Sequence, residues 1–302
     1  MRQALARVDT LGMISSSRRW GQTWLFGIGL LLSLTATAWV AAEPAAPTWQ
    51  ARELVQQSPA RIRVVAGWFI LGSDQAELDR AVALCKQSSG NDCTFANETP
   101  ARRVFVRSFE IDRVEVSNAA YDRCVTAGRC VPPRVDPALP VPQRQWPVVQ
   151  VNWREAREYC RFMGGDLPSE AQWELASHGD SQRSFPWGDT LSPELARYAG
   201  GTAEPSDVSA YPKGKSFFGV LGMAGNVWEL VLDRYVAPYS SETHSVDPLQ
   251  LEAGSDRVMR GGSYRSPPHT LRARARAAIA EQEARADVGF RCAYALPAAK
   301  AR

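Results

Sequence analysis

From Arg61 onward the apolar and polar positions change period several times, and each change marks an element. The stretch "RIRVVAGWFILGS" alternates every second residue and halts at Gly72-Ser73, as a half-buried strand does. In "DQAELDRAVALC" the apolar residues Leu78, Val82 and Cys85 recur at helical spacing, and "RRVFVRSFEIDRVEV" returns to strand-like alternation. Ser117 is placed to cap a helix over "NAAYDRCVTAG", with Tyr121, Cys124 and Val125 on one face and Gly128 as its stop. A proline-rich surface loop, "PPRVDPALPVPQRQWP", leads into a predicted short strand, "VVQV". Asn152 caps "WREAREYCRFMG", which should bury Trp153, Ala156, Cys160 and Met163 and end at Gly164-Gly165. Ser169 with Gln172 forms a capping box for "EAQWELASHG". Beyond Gly179, glycine, proline, serine and aromatic residues predict coil and short strands. There the alternation Leu271-Arg272-Ala273-Arg274-Ala275-Arg276 puts three arginines on one strand face. The inventory is α+β, with two well-marked helices and many loops around a small sheet.

The N-terminal pattern is of another kind. Arg18 and Arg19 precede the apolar run "WLFGIGLLLSLTATAWV", then "VAA" and Glu43, which reads as a secretory signal peptide over residues 1–42 cleaved after Ala42. Cleavage after Ala38 and an uncleaved single-span anchor are the competing readings. Residues 43–60 are a Pro/Ala/Gln-rich lead-in, 61–296 the domain and 297–302 a tail. The formal charge of the chain is +3, and residues 1–42 carry four arginines against one aspartate, so that segment accounts for the excess. A neutral mature chain gives no reason to expect a nucleic-acid surface. All six cysteines lie in the mature part, an even number that suits disulfides in an exported protein. "CKQSSGNDC" and "CVTAGRC" point to Cys85–Cys93 and Cys124–Cys130, since their spacings do not fit the usual zinc ligand pattern. Cys160 and Cys292 are left over.

Several phrases, in this order, carry a family resemblance: "GWFILGSD", "FEIDRVEVSNAAYDRCV", "WPVVQVNWREAREYCRFMGGDLPSEAQWELA", "FPWGD", "FGVLGMAGNVWEL", "RVMRGGSY" and "DVGFRCA". Together they resemble the formylglycine-generating enzyme (sulfatase-modifying factor) family, from about Arg61 to Leu296. The resemblance implies a loop-rich C-type-lectin-like fold with few helices and small antiparallel sheets. It also implies a disulfide between the "EYC" and "GFRC" cysteines, Cys160 and Cys292. Enzymes of the family carry two cysteines just after "GGSY" that bind copper and activate oxygen; the matching positions here are Ser266 and Leu271. A hydroxyl and an isobutyl group cannot replace a thiolate pair around soft Cu(I). No copper is therefore expected, and the chain should not be a formylglycine-generating oxidase.

The resemblance also implies a calcium loop at "GNVWE", through the carbonyls of Gly225 and Val227 and the carboxylate of Glu229. A usual Asn or Asp ligand three residues before the first glycine is Gly222 here, and the same residues also read as a structural turn, with Asn226 bonding the backbone and Trp228 buried. Trp228, Ser263, Ser266 and Asp287 would line the cleft in which active members hold their peptide, and the arginine face bearing Arg274 would suit an anion if it points there. That face could equally be exposed and paired with Glu281 and Glu283. Relatives that hold iron through three histidines are not matched by the scattered His178, His244 and His269, and a hydrolytic Ser263/Ser266–His269–Asp287 set lacks a nucleophile-elbow pattern. The expected function is an exported accessory, binding or maturation module, periplasmic or secreted, acting on a peptide, glycan or protein partner. An unconventional periplasmic oxidase, similar to the pyoverdine-maturation member of the family, is the alternative.

Overall fold

A computed structural model describes residues 61–296 apart from 89–92, 139, 202, 240–244 and 253. The signal peptide, the lead-in, the tail and His244 lie outside the described residues. The first apolar run forms two strands, β1 (Arg61–Val64) and β2 (Gly67–Leu71). Helix α1 (Gln75–Ser88) follows, then β3 (Arg102–Val106), β4 (Phe109–Asp112) and α2 (Asn118–Thr126). The Ser117 side chain caps α2 by accepting from the Ala120 amide. Helices α3 (Trp153–Phe162) and α4 (Glu170–His178) both start with complete capping boxes, Asn152 with Glu155 and Ser169 with Gln172. Each box satisfies two amides that the first helical turn would otherwise leave unpaired. The rest is loop and short strand: β5 (Trp228–Arg234), β6 (Asp256–Arg260), β7 (Arg276–Ala280), β8 (Val288–Gly289) and β9 (Ala293–Ala295).

Three small sheets result. One has the order β1-β4-β9, one pairs β2 with β3, and one runs β7-β6-β5-β8. All pairings are antiparallel except β5 with β8, where Trp228 lies beside Val288 and Glu229 beside Gly289. One apolar cluster gathers Phe69, Val104, Phe109, Ile111 and Trp173 between the first sheets and α4. A second gathers Tyr121, Trp153, Tyr159, Trp228 and Phe290 around α2 and α3. Cys160–Cys292 ties α3 to the end of the chain, and Cys85–Cys93 and Cys124–Cys130 close their short loops, so no cysteine is free.

Three expectations are corrected. "VVQV" forms no strand: Gln150 is left-handed (φ 61°), and its amide donates to the Arg285 carbonyl rather than to a ladder. Met163 is the C-cap of α3 and is exposed rather than buried, because the helix ends before its face is completed.

The arginines of 272–276 do not share an exposed strand face. Leu271 ends a 3-10 turn (Pro268–Leu271), β7 begins only at Arg276, and all three arginines are buried. Arg272 donates to Glu98 (2.5 and 3.0 Å) and to Glu77 (3.2 Å). Arg274 donates to the carbonyls of Gly72, Ser181 and Arg183. Arg276 grips Glu170 with two bonds of 2.7 and 2.8 Å. Arg260 joins the same cluster through Glu170 and Glu174. Burial pushes the Glu174 carboxyl upward, but Arg260, assisted by His178 and Arg274, outweighs it and holds the group at about 2. A buried guanidinium is tolerable when paired and hydrogen-bonded, and each of these has carboxylate or carbonyl acceptors, with only the Nε of Arg260 left without one.

Candidate binding cleft

The residues from Gly261 to Ser266 leave β6 through a tight turn. Gly262 has φ +73°, and a Cβ there would lie 2.8 Å from Leu271 Cδ2 and 3.0 Å from the Thr270 carbonyl, so only glycine admits this approach. The turn aims Ser263 and Ser266 toward the loop before β8. The Ser263 hydroxyl donates to Asp287 Oδ2 (3.0 Å) and lies 3.1 Å from the Ser266 hydroxyl, which accepts from the Ser263 amide (2.9 Å). Arg285 donates to both oxygens of Asp287, at 2.9 and 3.0 Å. The Trp228 amide donates to the Asp287 carbonyl (2.9 Å), an extension of the parallel β5–β8 pairing. Trp228, Ser266 and Asp287, with Arg265, Thr270 and Arg285, line an open cavity of about 400 Å³. That volume is enough for a small ligand or a few residues of peptide.

The structure therefore brings Trp228, Ser263, Ser266 and Asp287 together. It does not bring Arg274 to them: that side chain points to the Gly72, Ser181 and Arg183 carbonyls in the core. Leu271, the second position at which the family resemblance implies a cysteine, is wholly buried with Phe185 and Ala224. His269 packs edge-on against Phe95, with its Nδ1 3.2 Å from the Ser88 hydroxyl, so no Ser–His–Asp relay forms. His178 is buried beside Glu174 and Phe69. Sequence reasoning missed Arg285, although it stands two residues before Asp287, and it missed the proline-rich loop as a wall beside the cleft. Ala286 lines both the cavity and that wall.

The loop implied for calcium has a divided character. Both oxygens of Glu229 are taken, by Arg291 (2.5 and 2.6 Å) and by the Trp173 indole (2.8 Å). Asn226 is left-handed (φ 61°) and holds the Ser206 amide and Glu115 Oε1 (2.9 Å). Glu115 Oε2 is buried without a partner, and a Cβ at Gly222 would fall 2.5 Å from it. Burial, with the Glu229 charge adding and Arg291 opposing, raises this carboxyl to about 7. An orphaned carboxylate oxygen beside a second carboxylate is a donor set that fits a hard cation. Among the described residues no cluster of three or more His, Cys, Asp or Glu side chains is arranged to hold a metal. Backbone carbonyls, such as those of Gly225 and Val227, would have to complete the shell.

Residues 47–296 match the sulfatase-modifying factor enzyme 1-like domain. The chain belongs to this family. It is 28% identical to the formylglycine-generating enzyme of Bos taurus over 77% of this chain and 74% of that protein. It is 27% identical to the inactive C-alpha-formylglycine-generating enzyme 2 of Mus musculus over 89% of this chain and 95% of that one. Among solved structures, PvdO from Pseudomonas aeruginosa superposes with a TM-score of 0.64 at 22% identity, covering 78% of this chain and 94% of that one. Family membership accounts for the α+β, lectin-like layout and for few helices serving so long a chain of loops.

Proposed function

We propose that this family member is an exported binding or maturation module that holds a peptide-like partner in the Trp228–Ser266–Asp287 cleft and does not generate formylglycine. The observation that carries the reading is the chemistry at the cleft floor. Where the family's enzymes are implied to hold copper between two thiols, this chain has a Ser263–Ser266–Asp287 hydrogen-bond set and a leucine turned into the core. All six cysteines are consumed in disulfides, so no thiolate is available for Cu(I). Three disulfides also support export to an oxidising compartment, in line with the apolar N-terminal run.

The cleft keeps the elements of recognition: an indole wall, two hydroxyls, and an aspartate clamped by Arg285. Calcium is part of the same proposal. Glu115 and Glu229, with the carbonyls of Gly225 and Val227, would hold it, and its charge would satisfy Glu115 Oε2. Its role would be to fix the loop that presents Trp228.

The deciding experiment incubates the purified mature protein with Cu(I), oxygen, reductant and a peptide bearing a sulfatase cysteine motif, and scores aldehyde by mass spectrometry. No aldehyde is expected, and any turnover above a copper-only control ends the proposal. Oxygen consumption with the same peptide, lost in Trp228→Ala or Asp287→Ala proteins that remain folded, would favour the oxidase alternative instead.

A further inference from the structure

The proline-rich loop deserves a role of its own, because the fold has fixed it in place with an apolar face turned outward. Residues Pro132–Pro137 and Pro140–Pro142 stand opposite Trp146, Pro147, Pro205 and Tyr264 across a groove of about 540 Å³. The loop is pinned at both ends. At the first, Cys130 is in a disulfide, Tyr121 donates to the Val131 carbonyl, and Arg134 holds Glu155 with two bonds. At the second, Asn118 donates to the Gln143 carbonyl through its side chain and to the Trp146 carbonyl through its amide. Between those anchors Val135 and Val141 are 91% and 86% exposed, against the tendency of valine to be buried. Prolines carry no N–H to desolvate and have little backbone freedom to lose. A wall built of them is therefore cheap to cover with an apolar segment.

The groove and the cleft are continuous at Ala286, which lines both, and at Tyr264-Arg265, where consecutive residues face one and the other. Their charges differ. The cleft has Arg265 and Arg285 against Asp287, and Asp287 is engaged by Arg285. Arg265 is exposed, lies over the Tyr264 ring, and has no carboxylate partner among the described residues. The proline groove has Arg134, which pairs with Glu155, and Asp136, which accepts from the Ala138 amide, and is otherwise apolar apart from a few amide and hydroxyl groups.

We infer that the proline loop is a specificity subsite, and that the partner is an extended peptide segment whose acidic side chain meets Arg265 while its neighbouring apolar residues cover the proline wall. This rests on the binding reading above and names the class of ligand. An acidic group answers the one cation left over at the junction, and apolar residues answer the wall.

The test titrates the mature protein with three acetylated, amidated pentapeptides: DVPLV, its neutral analogue NVPLV and its polar analogue DSGSS. Calorimetry reads the affinities. DVPLV is expected to bind at least tenfold tighter than either analogue. A Val135→Asp/Val141→Asp protein, altered only at exposed positions, should lose that advantage over DSGSS. Arg265→Glu should erase the difference between DVPLV and NVPLV. Equal binding of all three peptides, no binding of any, or variants that bind like the parent would overturn the inference. DVPLV binding that is lost in Trp228→Ala but untouched in the loop variant would sink this subsite while leaving the cleft reading intact. Aldehyde formation in the preceding assay would sink that reading independently. Concentration-dependent dimerisation abolished by the loop variant would assign the wall to a second copy of the chain and refute the peptide assignment.

Discussion

The segment 257–291 serves two regions that lie back to back and obey opposite rules. On one side Arg260, Arg272, Arg276 and Arg291 enter a dry interior and pair with Glu170, Glu174, Glu77, Glu98 and Glu229. On the other, Ser266 and Asp287 face an open cavity, with Ser263 buried behind them and Arg285 half-exposed at its edge. The interior holds most of the charge, and the cleft is furnished mainly with hydroxyls, an indole and one clamped carboxylate. The difference teaches that charge density is a poor guide to the working surface in this fold. Here the strongest ion pairs hold the loops together, and the proposed binding cleft is comparatively mild.

That contrast can be broken most forcefully from the inside. Arg272→Ala should strand Glu98 in the core, while Glu77 keeps Arg80, and cost about 3–5 kcal/mol in a denaturant titration. A loss below about 1 kcal/mol would mean the pairing is dispensable and the two regions are not so different. Cys292→Ser comes next. It opens a link between residues 132 apart in sequence, which should lower stability by about 2–5 kcal/mol, and reduction of the wild type, which opens all three disulfides, should cost at least as much.

A pH series sharpens the comparison further. Glu115 is raised to about 7 in the folded chain, above its ordinary value in the unfolded one. The folded state therefore holds a proton that the unfolded state has released, and the stability this confers is complete below about pH 4 and lost as pH rises through about 7. Asp233, raised to about 7 chiefly by burial, adds to the same slope. The melting temperature should accordingly rise on going from pH 8 to pH 5, and less so in Glu115→Gln. Calcium should flatten this slope by stabilising the ionised carboxylate, and should raise the melting temperature most at pH 8. No calcium response at any pH would remove the cation from the account. Smallest of all is Ser266→Ala, which removes hydrogen bonds at the cleft and should cost about 0.5–1.5 kcal/mol. A larger loss would show that the cleft shares the interior's structural burden.

Much of the scaffold was legible because its signals are local. Asn152 with Glu155 and Ser169 with Gln172 are decided within one helical turn, and both boxes formed. The two short disulfides could be read from spacing, and Cys160–Cys292 from the resemblance at "EYC" and "GFRC". The buried arginines were illegible because their partners are remote: Glu98 stands 174 residues from Arg272, and Glu170 stands 106 from Arg276. Alternation alone sends a charged face to solvent, which is the usual outcome and the wrong one here. The strand at "VVQV" failed for a similar reason, since the Arg285 carbonyl that claims the Gln150 amide is distant in sequence. Ser263 and Asp287 are hydrogen-bonded to each other, whereas Arg285, although nearly adjacent to Asp287, carried no motif to announce it.

Leu271 deserves a last consideration. Its side chain is sealed between Phe185, Ala224 and the backbone of Gly262, so the second sulfur position has become a load of hydrocarbon in the core. Restoring a cysteine there would leave a void beside Phe185 and Ala224 with its thiol buried in the core, and Ser266 would have to change at the same time. Rebuilding the cysteine pair that the family resemblance implies would take both substitutions and a repacking of this corner of the core. The packing works as a ratchet against such a reversal.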